Sequence, residues 1–172
     1  MSTVMEVLDK AEQYVTAHFQ NHVDDDSCAY HNLQHTREVV AAAKEIGAAS
    51  GLTEEEIDIV VTAAWFHDTG FSNSWEDHET YSIETFEQFN QQLELPAGFS
   101  EQVVACIEAT RMPQNPQNLI ERVLCDADLY HLSTDLFEEK GELLRAEWAM
   151  LQGKKVTDAA WHQESLVSFK EH

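Results

Sequence analysis

The residues of this chain that could do chemistry stand where apolar ones are expected. His35 opens a segment whose inward stripe continues with Val39, Val40, Ala43 and Ile46. His67 extends the stripe Ile57, Val60, Ala64, and Asp68 follows it. Asp128 comes four residues after Leu124, on the stripe that starts at Ile120. An ionised carboxylate in a helical core is costly unless it is paired or binds a metal. Two imidazoles and two carboxylates from three helices are the material from which bundle cores build metal sites. Such mixed nitrogen and oxygen donors suit Mn, Fe, Co, Ni, Zn or Mg ions. A His-Asp pair alone is close to chance in a chain with nine histidines. Its weight comes from the apolar helix it closes, the upstream His35 and the inward Asp128.

The elements that must position these residues read as helices throughout. Val4, Val7, Leu8, Ala11, Tyr14, Val15, His18 and Phe19 follow the three-four spacing of one helical face. Residues 23–34, with the run Asp24-Asp25-Asp26, break the pattern. A second helix is predicted from His35 to Ala49, ended by Ser50-Gly51. Thr53-x-x-Glu56 reads as a capping box for a third, which carries His67 on its inner face. Thr69 to Ser74 is a loop. Further helices are predicted over Asp77–Gln92, Ser100–Thr110, from Pro116 or Gln117 to Asp128, Thr134–Leu151 and Thr157–Lys170. No stretch alternates with a period of two, so the fold class is all-α, in one domain over residues 1–172.

Composition excludes several functions. The net charge is −22, from 32 acidic and 10 basic residues. Binding polymeric nucleic acid needs a basic footprint, which is missing. An anionic substrate would need local positive charge, and a divalent ion is the compact way to supply it. No run of apolar residues is long enough for a membrane span, and the N-terminus does not read as a secretory signal. Cys28, Cys106 and Cys125 are odd in number and lack CxxC spacing, so reduced thiols are expected. Together these readings point to the cytoplasm.

Tyr30-His31-Asn32-Leu33-Gln34-His35-Thr36, His67-Asp68 and Cys125-Asp126-Ala127-Asp128-Leu129 together resemble the HD-domain superfamily of metal-dependent phosphohydrolases, most closely its small bacterial members. The first segment is also similar to the first metal motif of cyclic-nucleotide phosphodiesterases. The likeness extends to Ala109-Thr110-Arg111-Met112-Pro113 and Leu143-Leu144-Arg145-Ala146-Glu147-Trp148. It implies a compact HD-domain bundle with the metal in its core. It implies His35, His67, Asp68 and Asp128 as ligands, with Asp126 as the alternative to Asp128. It makes His31 a general acid, and His78 or Glu79 either a ligand to a second metal or the group that orients the attacking water. Thr110 stands where a further histidine would complete a dinuclear site, so one divalent ion is expected. Arg37, placed one turn of helix from His35, and Arg111 are implied phosphate contacts, with Arg145 and Lys140 as further candidates. The implied substrate is a small phosphate ester, with nucleotides foremost. The rival readings are a non-catalytic metal-binding sensor or interaction domain, an oxygen-dependent di-iron site, and a guanosine tetraphosphate hydrolase. For the last, Glu76-Asp77 comes too late after His67-Asp68.

Overall fold

Residues 59–66 of the third helix are all buried, and that helix organises the molecule. A helix that is apolar all round must be enclosed on every side. The computed structural model describes residues 4–22, 28–153 and 155–163, and every element among them is helical. They are α1 (Val4–His22), α2 (Leu33–Ala49), α3 (Glu54–Phe66), α4 (His78–Leu93), α5 (Ala97–Ala109), α6 (Leu119–Asp128) and α7 (Phe137–Leu151). Short 3-10 turns follow α3 at Thr69–Ser72 and α6 at Tyr130–Ser133. Residues 158–163 are helical as well. The rest of the helix expected there lies outside the described residues, as does the run Asp24-Asp25-Asp26.

α1, α2, α4, α5 and α6 all pack on α3. Its start is the expected capping box: Thr53 Oγ1 accepts from the Glu56 amide at 3.3 Å, and Glu56 Oε2 accepts from the Thr53 amide at 2.8 Å. The polar Thr62 survives inside because its hydroxyl donates to Asp58 O at 2.8 Å. Phe66 at the end of α3 packs on Phe86 and Phe89 of α4 and on Tyr14 of α1.

Several helix starts differ from the expectation; α2 begins at Leu33, two residues before His35, because Asn32 caps it. α5 starts at Ala97 rather than Ser100, with Pro96 at its N-cap. Pro96-Ala97-Gly98 looked like a separator, but a proline with fixed φ is well suited to a helix entrance. α6 starts at Leu119, because Asn118 caps it by accepting from the Glu121 amide at 3.0 Å. α7 starts at Phe137 rather than Thr134, since the chain first completes the turn Tyr130–Ser133. Cys28, Cys106 and Cys125 are buried, and none forms a disulfide. No described helix is long and apolar enough to cross a membrane.

The turn after α3 is fixed by contact with α4. The Gly70 amide donates to Ser82 Oγ at 2.9 Å, and that hydroxyl donates to His67 O at 2.7 Å. A Cβ on Gly70 would lie 1.9 Å from His78 O and 2.6 Å from Ser82 N. Both are backbone atoms and cannot swing away. Gly70→Ala is therefore expected to cost about 3 kcal/mol or more, read as a lowered midpoint in chemical denaturation. An unchanged midpoint would mean that the turn and α4 are not rigidly apposed.

Candidate metal centre

Helix ends bring the four expected ligand residues together. His35 lies in the first turn of α2, whose N-cap Asn32 accepts from the His35 amide at 3.0 Å. His67 caps the C-terminus of α3, and Asp68 follows. Asp128 is the last residue of α6. Two of these ends are C-terminal, and the partial negative charge of their carbonyls favours a cation. The ligand atoms of His35, His67, Asp68 and Asp128 all lie within 4.8 Å of one another. His35 Nε2 is 3.1 Å from Asp128 Oδ1 and 3.3 Å from Asp68 Oδ2. His67 Nε2 is 3.0 Å from Asp68 Oδ2 and 3.4 Å from Asp128 Oδ1.

The donor geometry suits a metal better than a closed hydrogen-bond network. His67 Nδ1 must donate to Ala64 O, 2.8 Å away, because a carbonyl can only accept. That leaves Nε2 as the ligand nitrogen, in the manner of metal-bound histidines whose other nitrogen is held by a carbonyl. His67 Nε2 and Asp68 Oδ2 are both buried, yet neither has a hydrogen bond of good geometry despite their 3.0 Å separation. Polar atoms buried in this way normally have a partner, and a divalent ion would provide it.

The electrostatics agree. Burial works against charge on His35, but hydrogen bonds and charge from Asp128 and Asp68 outweigh it and raise its pKa. His67 is likewise desolvated, yet Asp68 and Asp128 hold its pKa well above the usual value. Burial would raise the Asp68 pKa, but His67, His31 and His35 hold it well below the carboxylate range. Asp128 is also lowered against its burial, by His35 and His67.

The HD-domain family matches residues 32–133. The chain belongs to the HD-domain family. No curated protein and no solved structure matches it. HD domains bind divalent metals, and the histidine-aspartate group of this one could hold such an ion.

The other expected site residues of this HD domain fall in different places. His31 lines the cavity above the cluster, its ring stacked on Phe71 at 3.8 Å between centroids. His78 Nε2 lies 3.5 Å from Asp68 Oδ1 and 3.4 Å from Glu79 Oε1. Burial opposes charge on His78, but the hydrogen bond and charge of Asp68 raise its pKa. Glu79 is buried and faces Arg111 Nη1 at 3.4 Å. Asp126 is exposed and outside the cluster, since two residues of helix turn it away from the face that Asp128 occupies. Arg37 is exposed in a separate groove with Asp9 and Glu12 of α1. It lies two residues beyond His35, roughly 200° around the helix, not one turn. Arg111 and Arg145 line the cavity but are held by carboxylates: Arg111 by Asp77 at 2.6 Å and Glu108 at 2.9 Å, Arg145 by Asp158 at 2.5 Å. Lys140 is buried against Glu38 at 2.7 Å.

One residue escaped the sequence reading. Glu147 of α7 is fully buried and binds the whole of the Tyr30-His31 step. Its Oε2 accepts from the Tyr30 and His31 amides, each at 2.9 Å, and its Oε1 meets His31 Nδ1. Burial would raise its pKa, but His31 and the two amides lower it. The available signal was an acid among Leu143, Leu144 and Trp148, two helical turns from Lys140.

Because Asp68 and Asp128 raise the pKa of His35 and His67, metal binding is expected to compete with protons and to strengthen as pH rises. Calorimetry with Mn²⁺ in two buffers of different ionisation enthalpy measures this. His67→Ala should weaken binding by more than about 100-fold. Buffer-independent heats, or unchanged affinity in the variant, would place the ion elsewhere.

Proposed function

We propose that this HD-domain protein is a metal-dependent phosphohydrolase acting on a small phosphate ester, with nucleotides among the candidate substrates. The observation that carries the reading is the convergence of His35, His67, Asp68 and Asp128 beside an open cavity of about 950 Å³ that His31 also lines. That volume suits a metabolite-sized ligand. The net charge of −22 argues against polymeric nucleic acid.

The four residues would hold one divalent ion. The side chain at the position for a further histidine, Thr110, instead donates its hydroxyl to Ile107 O at 2.8 Å. An ion in this site supplies Lewis acidity, lowering the pKa of a water and polarising a phosphoryl oxygen. The chain's own residues do the rest. Glu147 accepts from His31 Nδ1 and leaves Nε2 to carry the proton that the leaving oxygen needs. Phe71 fixes the ring by stacking. Glu79 and His78, in contact with each other, and His78 also with Asp68, orient the attacking water on the cluster's flank. Arg111 and Arg145 serve to shape the wall, since their charge is matched by carboxylates.

Metal-loaded protein is expected to release phosphate from a panel of nucleotides and an aryl phosphate with Mn²⁺, Co²⁺ or Ni²⁺ added. Asp68→Ala and His67→Ala should abolish the activity. His31→Ala should lower kcat by about 10²–10⁴-fold while leaving metal binding intact. Silence across the panel with metal bound would favour the sensor reading. Two irons per chain would favour the oxygen-dependent one. Full activity in His31→Ala would remove it as the acid.

A further inference from the structure

The cavity wall beyond the metal cluster differs in character from the cluster itself. It is built from large apolar side chains on four parts of the chain: Trp75 and Met112 on two separate loops, Leu144, Trp148 and Leu151 of α7, and Trp161. Three of the four tryptophans of the protein line this one cavity. Trp148 and Trp161 meet edge to face, 5.9 Å between centroids. Trp75 is 41% exposed and Met112 is 51% exposed at the rim. Aromatic side chains that remain open to a cavity gain most from an apolar guest that displaces water.

The charged part of the wall sets a second condition. Glu76, Glu138, Glu142 and Asp158 line it in addition to the site carboxylates. Its two arginines are already matched, Arg111 by Asp77, Glu108 and Glu79, and Arg145 by Asp158 and Glu142. One phosphate can be met by the ion and the imidazoles His31 and His78. A second or third phosphate would lie against carboxylates, and among the described residues no unmatched arginine of the wall is there to receive it. Like charges brought together out of bulk water are strongly disfavoured.

Building on the phosphohydrolase reading, we propose that the site selects a monophosphate ester of a bulky apolar alcohol and refuses nucleoside polyphosphates. The metal cluster takes the phosphate, and the Trp75, Trp148 and Trp161 region takes the alcohol. Specificity then comes from apolar burial and charge exclusion, not from hydrogen bonds to a sugar or base.

Two measurements test this. The first is phosphate release by metal-loaded protein from cyclohexylethyl phosphate, ethyl phosphate, adenosine monophosphate and adenosine triphosphate. The two alkyl esters have similar leaving groups, so their ratio reports binding of the apolar group. Cyclohexylethyl phosphate should exceed each of the others in kcat/KM by at least about tenfold. The second is tryptophan fluorescence on adding cyclohexylethylphosphonate or ethylphosphonate, which cannot be hydrolysed. The larger phosphonate should bind at least about tenfold more tightly and perturb the emission. Trp148→Ala should collapse both ratios, and Trp75→Ala, at an exposed position, should reduce them if the first variant folds poorly. Equal or better turnover of ethyl phosphate or of either nucleotide overturns the inference and leaves the hydrolase reading standing. No release from any ester, with the phosphonate preference intact, overturns the hydrolase reading and supports the apolar phosphate site. Equal binding of the two phosphonates overturns the apolar assignment.

Discussion

A buried carboxylate and a half-buried one, set against two buried imidazoles, must balance their charge, and much of this fold serves that balance. Asp68 and His67 enter the core because residues 59–66, which lead into them at the end of α3, are all buried. Desolvation would make either carboxylate prohibitively unstable alone. The carboxylates raise the pKa of His35 and His67 in turn, and a divalent ion held among the four residues would supply the compensating charge. The cost of this cluster explains why its surroundings are so firmly built. The Ser82 hydroxyl ties the turn after α3 to α4, and Asn32 caps α2 at His35. A loose cluster would admit water and lose the electrostatic strength that low dielectric provides.

Much of this was legible from local pattern. The apolar stripe ending in His67, the Thr53–Glu56 box and the phase of Asp128 all follow from helical periodicity, and the structure brings His35, His67, Asp68 and Asp128 together. What escaped depended on distance in the chain or on angle around a helix. Glu147 reaches His31 across 116 residues, a pairing that no window of sequence contains. Arg37 looked close to His35 in sequence but faces α1. Pro96-Ala97-Gly98 holds two weak helix formers, yet it becomes a helix entrance because α5 packs on α3 and α4. The cations were visible as residues, but their carboxylate partners were not, and those partners change what Arg111 and Arg145 can do.

The two arms of the site therefore rest on different physics. Beneath, side chains from α2, α3 and α6 converge on a rigid apolar floor. Above, α7 contributes Glu147 to clamp His31 and Lys140 to meet Glu38. Those two charged residues are the only buried ones on α7. The helix is pinned by polar contacts and presents Leu144, Trp148 and Leu151 to the cavity.

A helix that leaves its apolar face toward a cavity has an unfinished core. Whatever fills that space with apolar surface completes packing that the described residues leave open. Occupancy and folding are then linked by mass action, so a well-matched guest raises the melting temperature in proportion to the logarithm of its concentration. The gain would be concentrated in α7, whose amide hydrogens would exchange with solvent more slowly when the cavity is filled. In this sense recognition by the protein is the last step of its own assembly.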